Sequence, residues 1–190
     1  MSLPDENGPE VYASAKPLAV EYHFRVYGEI GEVENYIELM ETLDSATELD
    51  HIYIHINTPG GNLYTAIPLV QAMRDSLASV VTVAEGEVKS AGSIILFAGE
   101  YIQVNPHCSF LLHDGSSGEI GKINENAKSA NHVSEVIKGL YLDVYQPYFT
   151  EEEIVDVLSG KDLYLTSSEV SVRIEAVLNS LEEMSNEVDS

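Results

Sequence analysis

Apolar and polar residues alternate in two stretches of this chain, recur every three or four residues in others, and run unbroken in one. The alternating stretches, Tyr22 to Tyr27 and His51 to Ile56, read as half-buried strands. The unbroken run, Ser79-Val80-Val81-Thr82-Val83-Ala84, is rich in β-branched residues and reads as a fully buried strand. Val33, Tyr36, Ile37, Met40 and Leu43 share one helical stripe, so Glu32 to Ala46 is expected as an amphipathic helix after a Gly28/Gly31 turn. Leu63 to Leu77 follows as a helix with Pro68 as a kink, and Ile94 to Ala98 suits a short buried helix. Tyr101 to Val104 and Ser109 to Leu112 are expected as a strand pair about the Asn105-Pro106-His107 turn. Val133, Ile137, Leu140, Val144 and Tyr148 then line one long helix, from about Asn124 to Phe149. Its length exceeds the globular norm, which points to packing on another subunit. Glu151 to Leu158 is a short helix, and Thr166 with Glu169 has the capping-box spacing that opens another.

Strands alternating with helices predict an α/β fold built of βαβ units. Residues 1–18 mix Pro, Gly, Asp, Glu, Ser and Ala and read as a flexible arm. Residues 19–178 carry the pattern of one domain, and residues 179–190 read as a frayed acidic tail. A chain of 190 residues can bury a full core. Its 32 acidic against 9 basic residues give a net charge of −23, which argues against nucleic acid or an anionic membrane as partner. With Cys108 the lone cysteine, no internal disulfide framework exists. No apolar run approaches a membrane span and the first residues lack a signal-peptide pattern, so a cytoplasmic location is expected.

The chemistry concentrates where the unbroken strand ends. In Gly86-Glu87-Val88-Lys89-Ser90-Ala91-Gly92, Ser90 sits on the turn between strand and helix. A hydroxyl held there is exposed beside the first free N–H groups of the helix, the arrangement of a nucleophile elbow without the G-x-S-x-G spacing. The alternative is an ordinary N-cap serine. His113 closes the Ser109 to Leu112 strand, where a neutral imidazole could act as general base or merely bond at the strand edge. Asp114 points away from it, since neighbouring strand side chains take opposite faces. Asn57-Thr58-Pro59-Gly60-Gly61 is a loop whose paired glycines let N–H groups approach a ligand. His51 and His55 share a strand face, but with no acidic or cysteine partner at ligand spacing, packing or surface roles outweigh a metal pair. Tyr141, Tyr145 and Tyr148 read as packing residues, and Asp162 as a loop carboxylate.

Four motifs, in order, resemble the Clp protease proteolytic subunit (ClpP) family. They are Ile56 to Gly61, Gly86 to Gly92 around Ser90, Phe110-Leu111-Leu112-His113, and Asp162-Leu163-Tyr164-Leu165-Thr166 with Glu169. The resemblance spans roughly residues 23–177 and implies the ClpP/crotonase-like fold: stacked βαβ units with a protruding handle of strand plus long helix. It implies a serine endopeptidase that cuts extended polypeptide inside an oligomeric chamber. By position, Ser90 matches the nucleophile, His113 the base and Asp162 the carboxylate that orients it. Gly60 and Ala91 match the backbone N–H donors of the oxyanion hole, while Gly61 and handle residues Gly118, Glu119 and Ile120 match substrate-binding positions. It further implies heptameric rings that can pair into a tetradecamer, a AAA+ unfoldase as partner, and neither cofactor nor metal. Lys89 stands where the family usually has a small residue, and Asp114-Gly115 where it has Gln-Pro. Three other readings compete: a phage-type head-maturation protease on the same fold, a non-catalytic ring subunit, and a crotonase-type acyl-CoA enzyme.

Overall fold

The computed structural model describes residues 18–114 and 127–188. Its centre is strand β2 (His51–Thr58), whose alternation buries Ile52, Ile54, Ile56 and Thr58 on one face. Strand β1 (Glu21–Tyr27) lies parallel to one edge of it, from Glu21↔His51 to Tyr27↔Asn57. Strand β3 (Ser79–Lys89) lies parallel to the other edge. The parallel connections are made by helices. A 3-10 turn (Val33–Tyr36) and α1 (Ile37–Ser45) follow β1, and α2 (Leu63–Asp75) follows β2. Asn62 caps α2 by accepting the Tyr64 N–H at 2.9 Å. Leu39 and Leu43 of α1 and Ala66, Leu69, Val70 and Met73 of α2 join the buried isoleucines of β2 in one core.

Beyond β3 the sheet takes an uncommon turn. Strand β4 (Tyr101–Val104) pairs parallel with the first half of β3, at Val81 to Ala84. Strand β5 (Ser109–Leu112) pairs parallel with its last residues, Glu87 to Lys89. The two strands expected to pair with each other thus lie one after the other along the same neighbour. Strand β6 (Leu163–Thr166) closes the edge antiparallel to β5, from Ser109↔Thr166 to Leu112↔Leu163.

Helix α3 (Ala91–Phe97) is buried along its whole length beneath β3, and α4 (Ala127–Tyr145) packs over it. Phe97 meets Tyr145, Tyr148 and Phe149 at ring-centroid distances of 5.7, 5.0 and 5.1 Å, so the tyrosine series is packing, as its spacing implied. Helix α5 (Glu151–Leu158) carries a capping box between Thr150 and Glu153, and α6 (Ser167–Val188) opens on Thr166 and Glu169.

Several boundaries differ from the sequence expectation, three of them for an evident physical reason. The helix expected from Glu32 starts as a 3-10 turn and becomes α-helical only at Ile37, a common way for a helix to begin. Strand β3 runs on past Ala84 to Lys89, because β5 supplies hydrogen-bond partners that no local pattern reveals. Residues Ser180 to Val188, expected as a frayed tail, continue α6.

Candidate active site

A register slip shapes the approach to Ser90. Along β2 and β3 the pairing steps from Ile56↔Ala84 to Thr58↔Val88, so Asn57 alone faces three residues of β3. Its side chain fills the gap: Oδ1 accepts the Glu87 N–H at 3.0 Å and would stand only 2.8 Å from a Cβ on Gly86. Such a bulge re-aims a strand without ending it. Glu85, Gly86 and Glu87, beyond the expected end of the strand at Ala84, are therefore held in the sheet, and β3 delivers Ser90 at its tip.

Ser90 itself has φ 52° and ψ −125°, a positive φ that a side-chain-bearing residue seldom adopts. Its N–H donates to the Leu111 carbonyl at 2.8 Å, tying the turn to the end of β5. The carbonyl of Ser90 accepts from the N–H of Ser93 at 2.9 Å and from its hydroxyl at 2.7 Å. Ser93 Oγ in turn meets Tyr145 Oη at 2.8 Å in a fully enclosed pair, where burial pushes the phenol pKa far up and keeps it protonated. What Ser90 does not do is cap: its side chain makes no hydrogen bond to the helix it precedes. The ordinary N-cap reading therefore fails, and a strained backbone holds an unused hydroxyl.

Gly60 lies against that hydroxyl. A Cβ at this position would sit 2.6 Å from Ser90 Cβ and 2.8 Å from the Lys89 carbonyl, and φ is 102°. Gly61, at φ 145°, presses on Ile30 just as closely, and the loop is stitched by Ile30 N–H to Gly60 O (2.8 Å) and Asn62 N–H to Ile30 O (2.7 Å). Only glycine fits either position. The Gly60 N–H, however, is already donated to buried Thr58 Oγ1 at 3.0 Å. Among the described residues the N–H groups of Gly61 and Ala91 donate to nothing.

Strand order gathers the other two candidates. Ser90 follows β3, His113 follows β5 and Asp162 precedes β6, and these strands are successive neighbours. The β5–β6 register ends at Leu112↔Leu163, so one further step sets His113 opposite Asp162. The three residues share one end of the sheet. They are not joined there: among the described residues no hydrogen bond links the His113 imidazole to Ser90 or to Asp162. The His113 carbonyl accepts from Tyr141 Oη at 2.8 Å, and exposed Asp162 accepts from Tyr164 Oη at 3.3 Å. Lys89 forms an ion pair with Glu87 at 2.7 Å, two positions back on the same strand face, which directs its ammonium away from Ser90. Gly118, Glu119 and Ile120 lie outside the described residues.

The sequence reading missed Thr58, Ser93 and Tyr145. Ser93 carried a usable signal, one turn past Ser90; the partnership with Tyr145, 52 residues on, carried none. His55 does not pair with exposed His51 but with His23 of β1, Nε2 to Nδ1 at 3.0 Å, while its Nδ1 donates to Glu85 at 2.7 Å. Among the described residues no three His, Cys, Asp or Glu side chains converge as for a metal, and no helix is long and apolar enough to cross a membrane.

The family model described as Clp protease matches residues 7–172. The ATP-dependent Clp protease proteolytic subunit of Bacteroides thetaiotaomicron is 26% identical over 129 residues, covering 67% of this chain and 59% of that one. That of Deinococcus radiodurans is 30% identical over 108 residues, covering 56% and 52%. A solved structure of a ClpP1 mutant from Listeria monocytogenes superposes with a TM-score of 0.64 at 26% identity, over 80% of this chain and 86% of the other. The chain spans only 59% and 52% of the length of those two curated relatives.

Proposed function

This chain belongs to the Clp protease family and has its ClpP/crotonase-like fold, and we propose on that footing that it is a serine endopeptidase with Ser90 as nucleophile. The observation that carries the reading is the Ser90 turn: positive φ, an uncommitted hydroxyl, and an unused Ala91 N–H beside it. In the proposed reaction His113 takes the proton from Ser90 Oγ as that oxygen attacks the peptide carbonyl carbon. Asp162 holds the imidazole and stabilises its charge. The carbonyl oxygen, now an anion, is received by the Ala91 N–H and by the Gly60–Gly61 turn. Each such donor is worth about 2.7–4 kcal/mol in the transition state. The N–H of Gly60 serves only after leaving Thr58, whereas that of Gly61 is already uncommitted. His113 then passes its proton to the leaving amine, and water releases the acyl group by the reverse sequence.

The substrate class in this reading is unfolded or extended polypeptide, and its work is done in a homo-oligomeric chamber of heptameric rings, fed by a AAA+ unfoldase in the cytoplasm. Residues 19–178 form the protease domain, with Gly118, Glu119 and Ile120 among the residues that hold the peptide. The family supports the rings and the ATPase as general features. One observation favours a second reading, a non-catalytic ring subunit: the imidazole of His113 bonds to neither proposed partner. Fluorophosphonate labelling with mass-spectrometric mapping separates the two. An adduct on Ser90 that disappears in Ser90→Ala and in His113→Ala supports the protease. An adduct elsewhere, or none in the fully assembled protein, overturns it.

A further inference from the structure

Helix α6 is longer than the body it packs on. Val170 is fully buried and Ile174 partly so, but Leu178, Leu181 and Met184 are 48, 56 and 64% exposed. Leu181 and Met184 belong to a regular series. Val170, Ile174, Val177, Leu181, Met184 and Val188 succeed one another in steps of four, three, four, three and four. That is the 3.5-residue period of a coiled-coil seam, with Ile174 and Leu181 at a and Val177 and Met184 at d. The inner end of the seam is used against the fold. The outer end continues in register from Leu178 onward for about 16 Å, at ~1.5 Å per residue, with nothing against it among the described residues.

We propose that this outer seam packs against the α6 seam of a second copy of the chain. Charge decides the choice of occupant. A protein at −23 should repel its own copies, yet the positions flanking the exposed seam are spared: e is Leu178 and Ser185, and g is Ser180. Glu175, Glu182 and Glu183 occupy b and c, on the side turned away, and in the sequence register Glu187 is the one acid at a flanking position, g. Two such seams meet without opposing carboxylates, whereas a basic partner would find no acidic rim to bind. A neutral rim on so acidic a surface fits self-pairing, which e and g charges would otherwise forbid. The seam is short, so the pairing needs copies already held near one another, where effective concentration replaces length. None of this depends on Ser90 being a nucleophile.

Single cysteines in the full-length protein test it, since Cys108 is buried and stays as it is. Leu181→Cys and Met184→Cys lie on the seam, and Asn179→Cys, at f, faces away from it. Under mild oxidation at least one seam cysteine should give interchain disulfide in about ten-fold excess over Asn179→Cys, because a disulfide tolerates only a narrow Cα separation. Circular dichroism reports whether each variant keeps its helix, and the second seam position stands in if one fails. Equal crosslinking at all three positions overturns the proposal, as does none at either seam position. Disulfide to a different protein in place of a second copy overturns it too.

Discussion

The two sides of the Ser90 cleft are built to different standards. On one side the turn is fixed from every direction: Gly60 in contact, Leu111 on its N–H, Ser93 on its carbonyl, and α3 buried beneath the Phe97 cluster. On the other side His113 and Asp162 hang from the four residue pairs of β5 and β6, with Asp162 exposed and, among the described residues, no hydrogen bond from the imidazole to it or to Ser90. The strained hydroxyl is stored in the folded chain; the proposed proton relay is left to be closed. Substitutions on the first side should therefore cost stability, and those on the second should cost activity alone.

Asp162→Asn gives the largest expected effect. An amide cannot stabilise the imidazolium and favours the wrong tautomer, so kcat should fall by about 10⁴-fold. Because Asp162 is exposed, the unfolding free energy should move by no more than about 0.5 kcal/mol. Peptide hydrolysis alongside thermal melts checks both halves. Unchanged hydrolysis would remove Asp162 from the relay, and a large drop in melting temperature would erase the contrast between the two sides.

Phe97→Ala is the counterpart on the packed side. It removes the ring that Tyr145, Tyr148 and Phe149 surround and should cost about 3–5 kcal/mol of stability, read from a denaturant midpoint. Fluorophosphonate reactivity should fall with it, since α3 carries the Ser90 carbonyl anchor. A variant that unfolds early yet labels at the normal rate would mean that the turn holds without its helix.

How much of this was readable in advance follows the same division. Alternation in β2 and the apolar run of β3 announced their strands, because one-sided or complete burial leaves a period in the sequence. Ser90, His113 and Asp162 were singled out by strand ends and ordered motifs, and their three strands, successive neighbours, carry them at one end of the sheet. The extension of β3 was not readable: the apolar run stops at Ala84, and Asn57 and β5 supply the partners of the next residues from elsewhere. Ser93 with Tyr145 escaped for the same reason, as did the Thr58 hydroxyl that takes the Gly60 N–H. Helix α6 was misjudged beyond Leu178 because its acidic b and c positions mask the heptad beneath them.

Tyr145→Phe probes the anchor with a smaller change. Ser93 donates to the Ser90 carbonyl, so Tyr145 must donate to Ser93, and losing that donor leaves a buried oxygen with one partner fewer. The expected cost is about 1 kcal/mol in chemical unfolding, with the hydrolysis rate lowered several-fold. A neutral result would show that Ser93 holds the turn unaided.

Acid should loosen the relay side first. Glu153 accepts both arms of Arg173, at 2.6 and 3.0 Å, and the Thr150 N–H at 2.9 Å, which clips α5 to α6 just ahead of the Asp162 loop. The Arg173 guanidinium, with help from Thr150, holds the Glu153 carboxyl below its ordinary value of 4.5. A carboxylate depressed in the fold binds its proton more readily when unfolded, so its stabilisation is complete above pH 4.5 and drains away as pH falls through the lowered folded value. The pair is partly exposed, so the amount is below about 1 kcal/mol. Hydrogen exchange should then show α5 and β6 opening as the pH drops below 4.5 while β2, β3 and α3 stay protected, and Glu153→Gln should flatten that response. If α3 opens together with α5, the two sides form one cooperative unit, and the contrast between a stored nucleophile and an unfinished relay no longer stands.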